Sequence, residues 1–529
     1  MGKVRAIGRH GSGPRPSGHG TRVTGTERLG YVHGHGYGNE VRADSRCVGA
    51  CPVAHSRSMD DREFRRLGHA LVDWLADHRE RLPSLPVMSP VVPGAIRARF
   101  PASPPAEGGR LADAIAALDD VVVPGITNWN HPAFFAYFPS NVSAASILAD
   151  LVCAGLGAQA MSWQTSPAAT EIEEVVMAWL RQMVGLPPVF SGAVQDTAST
   201  STLTALLLAR ERTTGFSQNG AGLQGEAAPL TVYASEQAHS SVEKAALLAG
   251  FGRENVRLVG TDEAHALRID LLERAIAEDV AAGRRPCALV AAIGTTATTA
   301  LDPLAAMVDV AARHGMWVHV DAALAGTAMV LPECRWMWAG IERVDSLVFN
   351  PHKWMGIGLD FSAFYVRDPE HLVRVMSTNP SYLRTAHDGA VTNFRDWGIP
   401  LGRRFRALKA WFHLVDEGVL GMQARLRRDL ENARWLAGEV DRTPGWERLA
   451  PVPLQTVCLR HVPDGERDEA RLAAVNLELA RRVNAGGRAY VTPSALKGRQ
   501  MIRVSIGAMA TERKDVEAVW AALREAAPR

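Results

Sequence analysis

The residue of this sequence best suited to covalent chemistry is a lysine that follows a short apolar run. The run ends at Phe349, and Asn350-Pro351-His352-Lys353 comes directly after it, where a loop would carry side chains to the edge of a sheet. Only six of the 58 basic residues are lysines, so arginine is the ordinary cation of this chain. Arginine cannot lose its proton in a protein, whereas a lysine in a poorly hydrated pocket can become a neutral amine and attack a carbonyl. Lys353 is therefore a candidate Schiff-base lysine, although a lone lysine after a strand is more often a surface residue.

An aspartate at the end of another apolar run could balance a positive ring nitrogen. It lies in the segment His319-Val320-Asp321-Ala322-Ala323. A carboxylate at the end of a buried strand is costly unless it has a cationic partner, and a protonated pyridine nitrogen is such a partner. The small residues that follow leave room for a planar ring. The alternative interpretation is that Asp321 caps the next turn.

Two further motifs add a candidate phosphate cradle and an imidazole. Gln195-Asp196-Thr197-Ala198-Ser199-Thr200 leads straight into a helical pattern, whose free N–H groups suit a phosphate, although the motif alone is an ordinary helix cap. His239 follows a strand and could stack on an aromatic ring, although such a histidine is more often solvated. All four groups fall at the ends of predicted strands, where open α/β sheets bind ligands. A lysine, a carboxylate and a phosphate cradle are what an electron-sink aldehyde cofactor requires.

The elements that must position these groups alternate between strand-like and helical patterns. Six runs are predicted as strands: Leu230–Ala234, Val256–Val259, Ala288–Ile293, Met316–Val320, Asp345–Phe349 and Ser362–Val366. Four helices lie before or between them: Ala198–Arg210, Ser240–Ala249, Leu271–Ala282 and Leu304–His314. Near-continuous apolar strands that alternate with helices predict a mostly parallel α/β sheet.

The flanking regions have other patterns. Helices are predicted at Met59–Arg81, near Leu111–Val121, and from Arg403–Glu417 onward to about Val440, and prolines between Pro83 and Pro105 predict an extended connector. The run Trp129–Pro139 is too aromatic and too broken by proline for a regular element, so it either lines a pocket or packs between helices. A small α+β unit is predicted from strands and helices at Thr456–Arg460, Glu469–Val483, Ala489–Thr492, Met501–Ile506 and Glu512–Leu523.

Composition excludes several classes of function. A net charge of +2 over 529 residues gives no reason to expect nucleic acid or an anionic membrane as partner, and no apolar run is long enough for a membrane span. Six scattered cysteines predict no disulfide framework and favour a reducing cytoplasm. Cys47 and Cys51 could share a metal, but no second pair at zinc-site spacing follows, so no metal is predicted. Residues 1–58 are rich in glycine and lack periodic apolar residues, which predicts disorder.

Taken together, the motifs resemble those of the group II pyridoxal-phosphate-dependent decarboxylases, of the aromatic-L-amino-acid decarboxylase type. The matching segments are Gln195–Ser199, Gln237–Glu243, Gly294–Thr296, His319–Ala323, Asn350–Trp354 and Ile399–Arg406. The resemblance covers the chain from about Met59 onward. It implies pyridoxal 5'-phosphate as cofactor and an α/β, PLP-dependent transferase-like fold (fold type I). The expected parts are a disordered extension (1–58), an N-terminal helical arm (59–130), a large cofactor-binding α/β domain with a mostly parallel central sheet (131–420) and a small C-terminal α+β domain (421–529).

The same resemblance implies roles for particular residues. Lys353 would carry the cofactor as a Schiff base, Asp321 would pair with its pyridinium, and His239, supported by Thr296, would stack on its ring. Tyr382, ahead of a lid at Arg384–Thr392, would give a proton to the α-carbon. The other residues expected around the cofactor are Ala198, Ser199, Ala323, Asn350 and His352. The residues expected around the amino-acid substrate are Trp129, Tyr137, Phe138, Pro139 and Gly402. The family also implies a homodimer with the active site at the interface.

Departures from the family pattern leave the substrate open. They are Asp196 and Thr200 in the phosphate motif, Leu324 where a tyrosine is common, and Gln159 and Met161 in a stretch that is usually apolar. The prediction is decarboxylation of an aromatic L-amino acid to its amine, with tryptophan or phenylalanine preferred. The alternatives are an aldehyde synthase that decarboxylates oxidatively, a decarboxylase of another amino-acid class, and a binding protein that kept the fold without catalysis.

Overall fold

Apolar runs in the middle of the chain form the strands of a seven-stranded sheet in the computed structural model, which describes residues 59–528. The strands of the described chain are β1 Phe134–Phe135, β2 Ser191–Gln195, β3 Leu230–Ser235, β4 Val256–Val259, β5 Arg285–Ala292, β6 Trp317–Asp321, β7 Ser346–Phe349, β8 Ser362–Val366, β9 Trp446–Arg448, β10 Thr456–His461, β11 Tyr490–Leu496 and β12 Arg499–Ser505. The α-helices are α1 Asp61–Arg81, α2 Leu111–Ala116, α3 Ala144–Leu156, α4 Pro167–Met183, α5 Ala198–Thr214, α6 Ser217–Ala221, α7 Ser241–Leu248, α8 Ile269–Ala281, α9 Leu304–Arg313, α10 Pro369–Met376, α11 Ala407–Arg442, α12 Glu469–Ala485 and α13 Arg513–Ala526.

The seven-stranded sheet has the order β2-β8-β7-β6-β5-β3-β4. The five strands from β4 to β7 pair in parallel, and β8 is antiparallel to both of its neighbours. This confirms the predicted mostly parallel sheet and its six strands. Strand β2 was not predicted, because Ser191 and Gly192 interrupt its apolar pattern. The carboxyl ends of the parallel strands share one edge of the sheet.

Both faces of this sheet are covered. In β5, Leu289 and Ala291 belong to one hydrophobic cluster, and Ala288 and Val290 belong to the cluster on the opposite face. All four side chains are fully buried. This explains why β5 is a continuous apolar run instead of an alternating one.

A second sheet holds the C-terminal strands together with a short strand from much earlier in the chain. Its order is β1-β11-β12-β10-β9, and β1 pairs in parallel with β11. Just after β1, the backbone N–H of Tyr137 donates to Thr492 Oγ1 at 2.7 Å. The prediction that Trp129–Pro139 contains no regular element is therefore wrong for Phe134–Phe135. The pairing partner of this segment, β11, is too distant in sequence for a local pattern to reveal it.

Helix α11 has a break at Gly418. The backbone there has φ 66° and ψ 167°, a conformation that is essentially restricted to glycine. Residues after the break, including Leu436 and Val440, pack in the core of the second sheet. The helix begins at Ala407, later than the predicted Arg403, because the backbone of Arg403 is bonded elsewhere: its N–H donates to Gln159 Oε1 at 2.7 Å, and its carbonyl accepts from the N–H of Ala160 at 2.9 Å. The Arg403 side chain forms a buried ion pair with Glu173 at 2.6 Å.

The N-terminal arm begins with α1, as predicted. Asp60 caps this helix through the N–H of Glu63, and Trp74 and Arg81 bind Asp119 beyond the proline-rich connector. The second predicted helix is shorter than expected, ending at Ala116 before a wider helical turn over Leu118–Val122.

Several expectations are not decided by these elements. The domain boundaries at 130 and 420 stay a prediction, and the expectations for residues 1–58, including Cys47 and Cys51, lie outside the described residues. The four cysteines between 59 and 528 are free thiols. Over the same range, no helix combines the length and the apolar character needed to cross a membrane.

Candidate active site

A cavity of about 230 Å³ lies at the carboxyl edge of the seven-stranded sheet. It is lined by the ends of β5, β6 and β7 and by the start of α5. The residues around it are Phe138, Thr197, Ala198, Ser199, His239, Ala292, Gly294, Thr295, Thr296, Asp321, Ala323, Leu324, Asn350, His352 and Lys353. The four motifs, which span 155 positions of the sequence from Ala198 to Lys353, therefore meet in one place.

Lys353 lies in a one-turn helix, Pro351–Met355, that follows β7 directly. Its Nζ lies 5.4 Å from the centre of the Phe138 ring. Burial lowers the pKa of Lys353, and the nearby carboxylate of Asp321 opposes that change to a smaller extent. A lowered pKa increases the fraction of neutral amine, which is the form that attacks a carbonyl. The cavity thus provides an environment in which this lysine can act as a nucleophile.

Asp321 ends β6 with its side chain almost buried, at 9% exposure. The N–H of Ala323 donates to its Oδ1 at 3.1 Å, so the alternative interpretation as a turn cap is correct for one oxygen. Within residues 59–528, no hydrogen bond or ion pair engages Oδ2. Lys353 is the nearby charge, but it forms no direct ion pair with Asp321, and a nearly buried carboxylate without a direct partner points to a cation that binds beside it.

Replacing Asp321 by asparagine is expected to weaken cofactor binding about a hundredfold, since a hydrogen bond to a charged group contributes about 1.5–3 kcal/mol. Asp321 raises the pKa of Lys353, so the same substitution should lower that pKa further. Cofactor titration by absorbance measures the first effect, and the pH dependence of Lys353 methylation in cofactor-free protein measures the second. Asp309→Asn, on the exposed side of α9, is the matched control. Unchanged cofactor affinity in Asp321→Asn would contradict the role of this carboxylate.

The imidazole of His239 is held in one tautomer. The backbone N–H of Ser241 donates to Nδ1 at 3.1 Å, and the Ser241 hydroxyl lies 2.8 Å from the same nitrogen. Nδ1 is therefore an acceptor, and the hydrogen of the neutral ring is on Nε2. Burial lowers the pKa of His239, Asp321 opposes this and Lys353 adds to it, so the ring is neutral at neutral pH.

The start of α5 presents small and hydroxyl-bearing residues to the cavity. Thr197 caps the helix by accepting from the N–H of Thr200 at 3.3 Å, which leaves the first N–H groups of the helix facing the cavity lining at Ala198 and Ser199. The N-terminus of a 17-residue helix is a favourable site for an anion.

Two residues beside the lysine complete this side of the cavity. Asn350 is fixed by a hydrogen bond of 2.7 Å from Ser362 Oγ to its Oδ1. His352 accepts from the N–H of Phe361 at its Nδ1, at 3.1 Å, so its Nε2 carries the hydrogen. Burial, with Lys353 adding to it, lowers the pKa of His352 to about 4. His352 is therefore neutral and can act as a donor.

Five of the predicted site residues do not line the cavity. Trp129, Tyr137 and Tyr382 are exposed on the surface, at 37%, 49% and 78% respectively. Gly402 is also exposed, whereas Pro139 is buried next to Phe138. The aromatic rings of Trp129 and Tyr137 stack on each other, with centres 5.5 Å apart.

The predicted lid, Arg384–Thr392, packs against helix α4 and the turn before it. His387 contacts the ring of Trp163, with centres 4.7 Å apart, and Thr392 binds Glu174. Asp388 accepts from the hydroxyl of Thr385 at 2.8 Å. In this arrangement the lid and Tyr382 lie away from the lysine.

Sequence reasoning missed five lining residues, Thr197, Ala292, Gly294, Thr295 and Leu324, as members of the site. The signal for Thr197 was present, because a threonine before a helical run is a typical cap. Gly294 and Thr295 follow β5 directly and so share the edge that the other motifs occupy. Leu324 was noted only as a departure from a family pattern.

The residues of the cavity fit pyridoxal phosphate. They supply an amine whose pKa is lowered, a carboxylate without a cationic partner, and a helix N-terminus for a phosphate. A family model described as the pyridoxal-dependent decarboxylase conserved domain matches residues 93–462, more than half of the chain. The chain belongs to the pyridoxal-dependent decarboxylase family. The protein is accordingly an amino-acid decarboxylase with pyridoxal phosphate as its cofactor, as the sequence motifs predicted.

Several named proteins are similar to this decarboxylase over most of its length. Tryptophan decarboxylase TDC2 of Camptotheca acuminata is 37% identical over 494 residues, which are 92% of this chain and 97% of the relative. Phenylacetaldehyde synthase of Arabidopsis thaliana is 38% identical over 484 residues, 89% of this chain and 97% of the relative. The crystal structure of Oryza sativa TDC with PLP and tryptamine has a TM-score of 0.85 at 36% identity, and the match covers 89% of this chain and 98% of that one. These similarities confirm the type I fold and the resemblance to the aromatic-L-amino-acid decarboxylase type.

Proposed function

We propose that this decarboxylase converts an aromatic L-amino acid, tryptophan or phenylalanine before the hydroxylated ones, to its amine and carbon dioxide. The observation that carries the proposal is the Phe138 ring, which lines the cavity 5.4 Å from Lys353 Nζ. An aromatic wall beside the reactive amine favours an apolar, flat side chain over a charged one. The similarity to proteins named tryptophan decarboxylase supports the same substrate class.

Each polar residue of the cavity has a separate task in this proposal. When bound, pyridoxal phosphate supplies the electron sink that accepts the electron pair left by the departing carboxylate. Lys353 would hold the cofactor through its neutral amine. Asp321 would place a negative charge beside the ring nitrogen, and His239, fixed by Ser241, would cover the ring.

The phosphate group would be held by two sets of donors. The first N–H groups of α5, at Ala198 and Ser199, form one set, and the side chains of Asn350 and His352, which also line the cavity, form the other. Because His352 is neutral, it contributes a hydrogen bond without an additional positive charge. Ala323 and Thr296 contribute small side chains to the walls around the ring.

We also propose that two copies of the chain assemble, with the active site at their interface. Tyr382, the proposed proton donor to the α-carbon, is 78% exposed and outside the cavity. A single chain with the lid in this position therefore has no tyrosine beside Lys353. Helices α3 and α11 expose Leu151, Leu156, Val415 and Leu420, at 55%, 67%, 72% and 81%. Large apolar residues exposed on two helices that pack against each other are typical of a protein interface. A second copy could cover it and bring its own lid to the cavity.

Gly402 offers a test of the side-chain preference. A Cβ at this position would meet only Gln159 Nε2 at 3.4 Å, so Gly402→Ser should fold normally. Gly402 is exposed and outside the cavity of its own chain, so the added side chain would narrow the space offered to an indole at the proposed interface with a second copy. The ratio of kcat/KM for tryptophan to that for phenylalanine is expected to fall about tenfold, within the range that one small group supplies in an apolar pocket. Amine release across a panel of amino acids measures this ratio.

Gly220→Ser, at a site with no atom near the added Cβ, is the matched control for that substitution. If the wild-type enzyme released no carbon dioxide from any aromatic amino acid in the same panel, the proposed substrate class would be wrong.

The identity of 38% to phenylacetaldehyde synthase supports a second candidate function. In that case the product is the aldehyde, formed with consumption of oxygen and release of ammonia and hydrogen peroxide. Retention of Tyr382 favours the amine, because a proton donor at the α-carbon competes with oxygen for the same position. Measuring amine and hydrogen peroxide in one reaction separates the two functions.

A further inference from the structure

The last carbonyl groups of the helix that carries Lys353 accept hydrogen bonds from side chains outside that helix. Because the helix runs only over Pro351–Met355, these carbonyls lack the N–H partners that a continuing helix would provide. Asn141 Nδ2 donates to the carbonyl of Lys353 at 3.0 Å. The next two carbonyls, of Trp354 and Met355, accept from side chains of α11.

A single buried arginine serves both of these carbonyls. Arg425 donates from Nη1 to the carbonyl of Trp354 at 2.8 Å and from Nη2 to that of Met355 at 2.7 Å. Its guanidinium is oriented by Glu417, with Nε–Oε1 at 2.7 Å and Nη2–Oε2 at 3.1 Å. Bidentate, charge-assisted pairs of this type fix direction as well as distance. The orientation of Arg425 toward the lysine helix therefore depends on Glu417.

His413 adds a third contact to the same group. Its Nε2 lies 2.9 Å from the carbonyl oxygen of Met355 and 3.0 Å from Glu417 Oε2, and Ser143 Oγ lies 3.0 Å from its Nδ1. Burial alone would raise the pKa of Glu417, but His413 and Arg425 outweigh it and lower this pKa to about 2. Glu417 is therefore ionised at every pH at which the enzyme would be assayed.

The contacts span the break in α11. His413 and Glu417 precede Gly418, and Arg425 follows it on the segment that continues into the core of the second sheet. The group thus connects the lysine helix to both parts of α11. None of these three side chains lines the cavity.

We propose that Glu417, Arg425 and His413 are positioning residues for Lys353. They fix the carbonyl groups of the helix that carries this lysine, and they thereby fix the position of its amine relative to the second sheet. This inference rests on the proposed role of Lys353. A displacement of about 1 Å at a reacting group can cost a hundredfold in rate, so a device that holds the backbone beside the nucleophile has a large effect without touching the substrate.

The test is Glu417→Gln in the cofactor-loaded, full-length enzyme. Glutamine has one acceptor oxygen and turns an NH2 group toward the donors of Arg425 and His413, so the arginine should lose its orientation. We expect kcat to fall by about tenfold to a hundredfold with KM changed less than about twofold, the pattern of a misplaced group. The pH at which the visible band of the bound cofactor changes should shift, and cofactor affinity should fall about tenfold.

Three further variants keep the test decisive. Arg427→Lys alters a similar pair with Glu333 two residues along the same helix, but on the exposed side, and should match the wild type in all three readouts. Arg425→Lys keeps the charge and can reach only one carbonyl at a time, so its loss should be smaller than that of Arg425→Ala. If Glu417→Gln failed to fold, the two Arg425 variants would decide the test: a smaller loss of kcat in Arg425→Lys than in Arg425→Ala supports the positioning role, and an equal loss contradicts it.

The outcomes also separate this inference from the proposed function. The positioning role would be overturned if both Glu417→Gln and Arg425→Lys matched the wild type in kcat, in the pH at which the cofactor band changes and in cofactor affinity. Lys353 would remain the reactive amine in that case. An active Lys353→Ala enzyme would instead overturn the proposed function itself.

Discussion

Lys353→Ala is expected to reduce carbon dioxide release at least a thousandfold at saturating cofactor. Alanine removes the amine that is proposed to carry the cofactor, and no other lysine lines the cavity among the described residues. Removal of a covalent nucleophile commonly costs this much or more. The measurement is initial carbon dioxide release from an aromatic amino acid. In the wild type, borohydride should also attach the cofactor permanently to the peptide that contains Lys353.

Lys514→Ala is the control for this prediction, because Lys514 is an exposed lysine paired with Glu512 far from the cavity. It should retain wild-type activity. A Lys353→Ala enzyme with the wild-type rate would show that a different residue does the chemistry and would remove the basis of the proposed mechanism.

Tyr382→Phe is expected to lower amine formation by about a hundredfold or more, the usual contribution of a positioned general acid. Phenylalanine keeps the ring and removes the proton. Carbon dioxide release should continue, while the α-carbon reacts with oxygen to give the aldehyde, ammonia and hydrogen peroxide. Amine, aldehyde and peroxide measured together check the prediction. An unchanged yield of amine without peroxide would show that the proton comes from elsewhere.

Mixing the two variants tests whether Tyr382 serves the cavity of the second copy. A mixed dimer of Lys353→Ala and Tyr382→Phe has one site in which an intact lysine faces an intact tyrosine only if the lid acts across the interface. With random pairing, amine formation should recover to about a quarter of the wild-type level. If the lid acted on its own cavity, no site would have both residues and amine formation would stay low.

Local patterns were sufficient for the cofactor cavity and insufficient for what surrounds it. Lys353, Asp321 and His239 each follow an apolar strand within a few residues, so the position of the strand ends predicted that they would meet. Helix α3 was missed because it is apolar on several sides, with Leu148 and Leu151 exposed as well as its core face buried, and so lacks a clear helical period.

Contacts between distant segments could not be predicted in the same way. The Arg425 bonds to the lysine helix join residues about 70 positions apart, and neither partner has a distinctive local motif. In the proposed dimer, the cavity that Tyr382 serves is set by a second copy, which no pattern within one chain specifies. For Trp129–Pro139, both interpretations were partly correct, since Phe138 lines the cavity and Phe135 packs in the core of the second sheet.

The pairing of β1 with β11 has a consequence for engineering this enzyme. The aromatic wall at Phe138 comes three residues after β1, a strand of the second sheet, and its neighbour Tyr137 is anchored by Thr492, 355 positions further along the chain. The guanidinium carbon of Arg503, on the adjacent β12, lies 5.2 Å from the centre of the Phe138 ring. A mutant library restricted to the cavity lining would leave the support of this wall untouched. Libraries that aim to change the accepted amino acid should therefore randomise Thr492 and Arg503 together with Phe138.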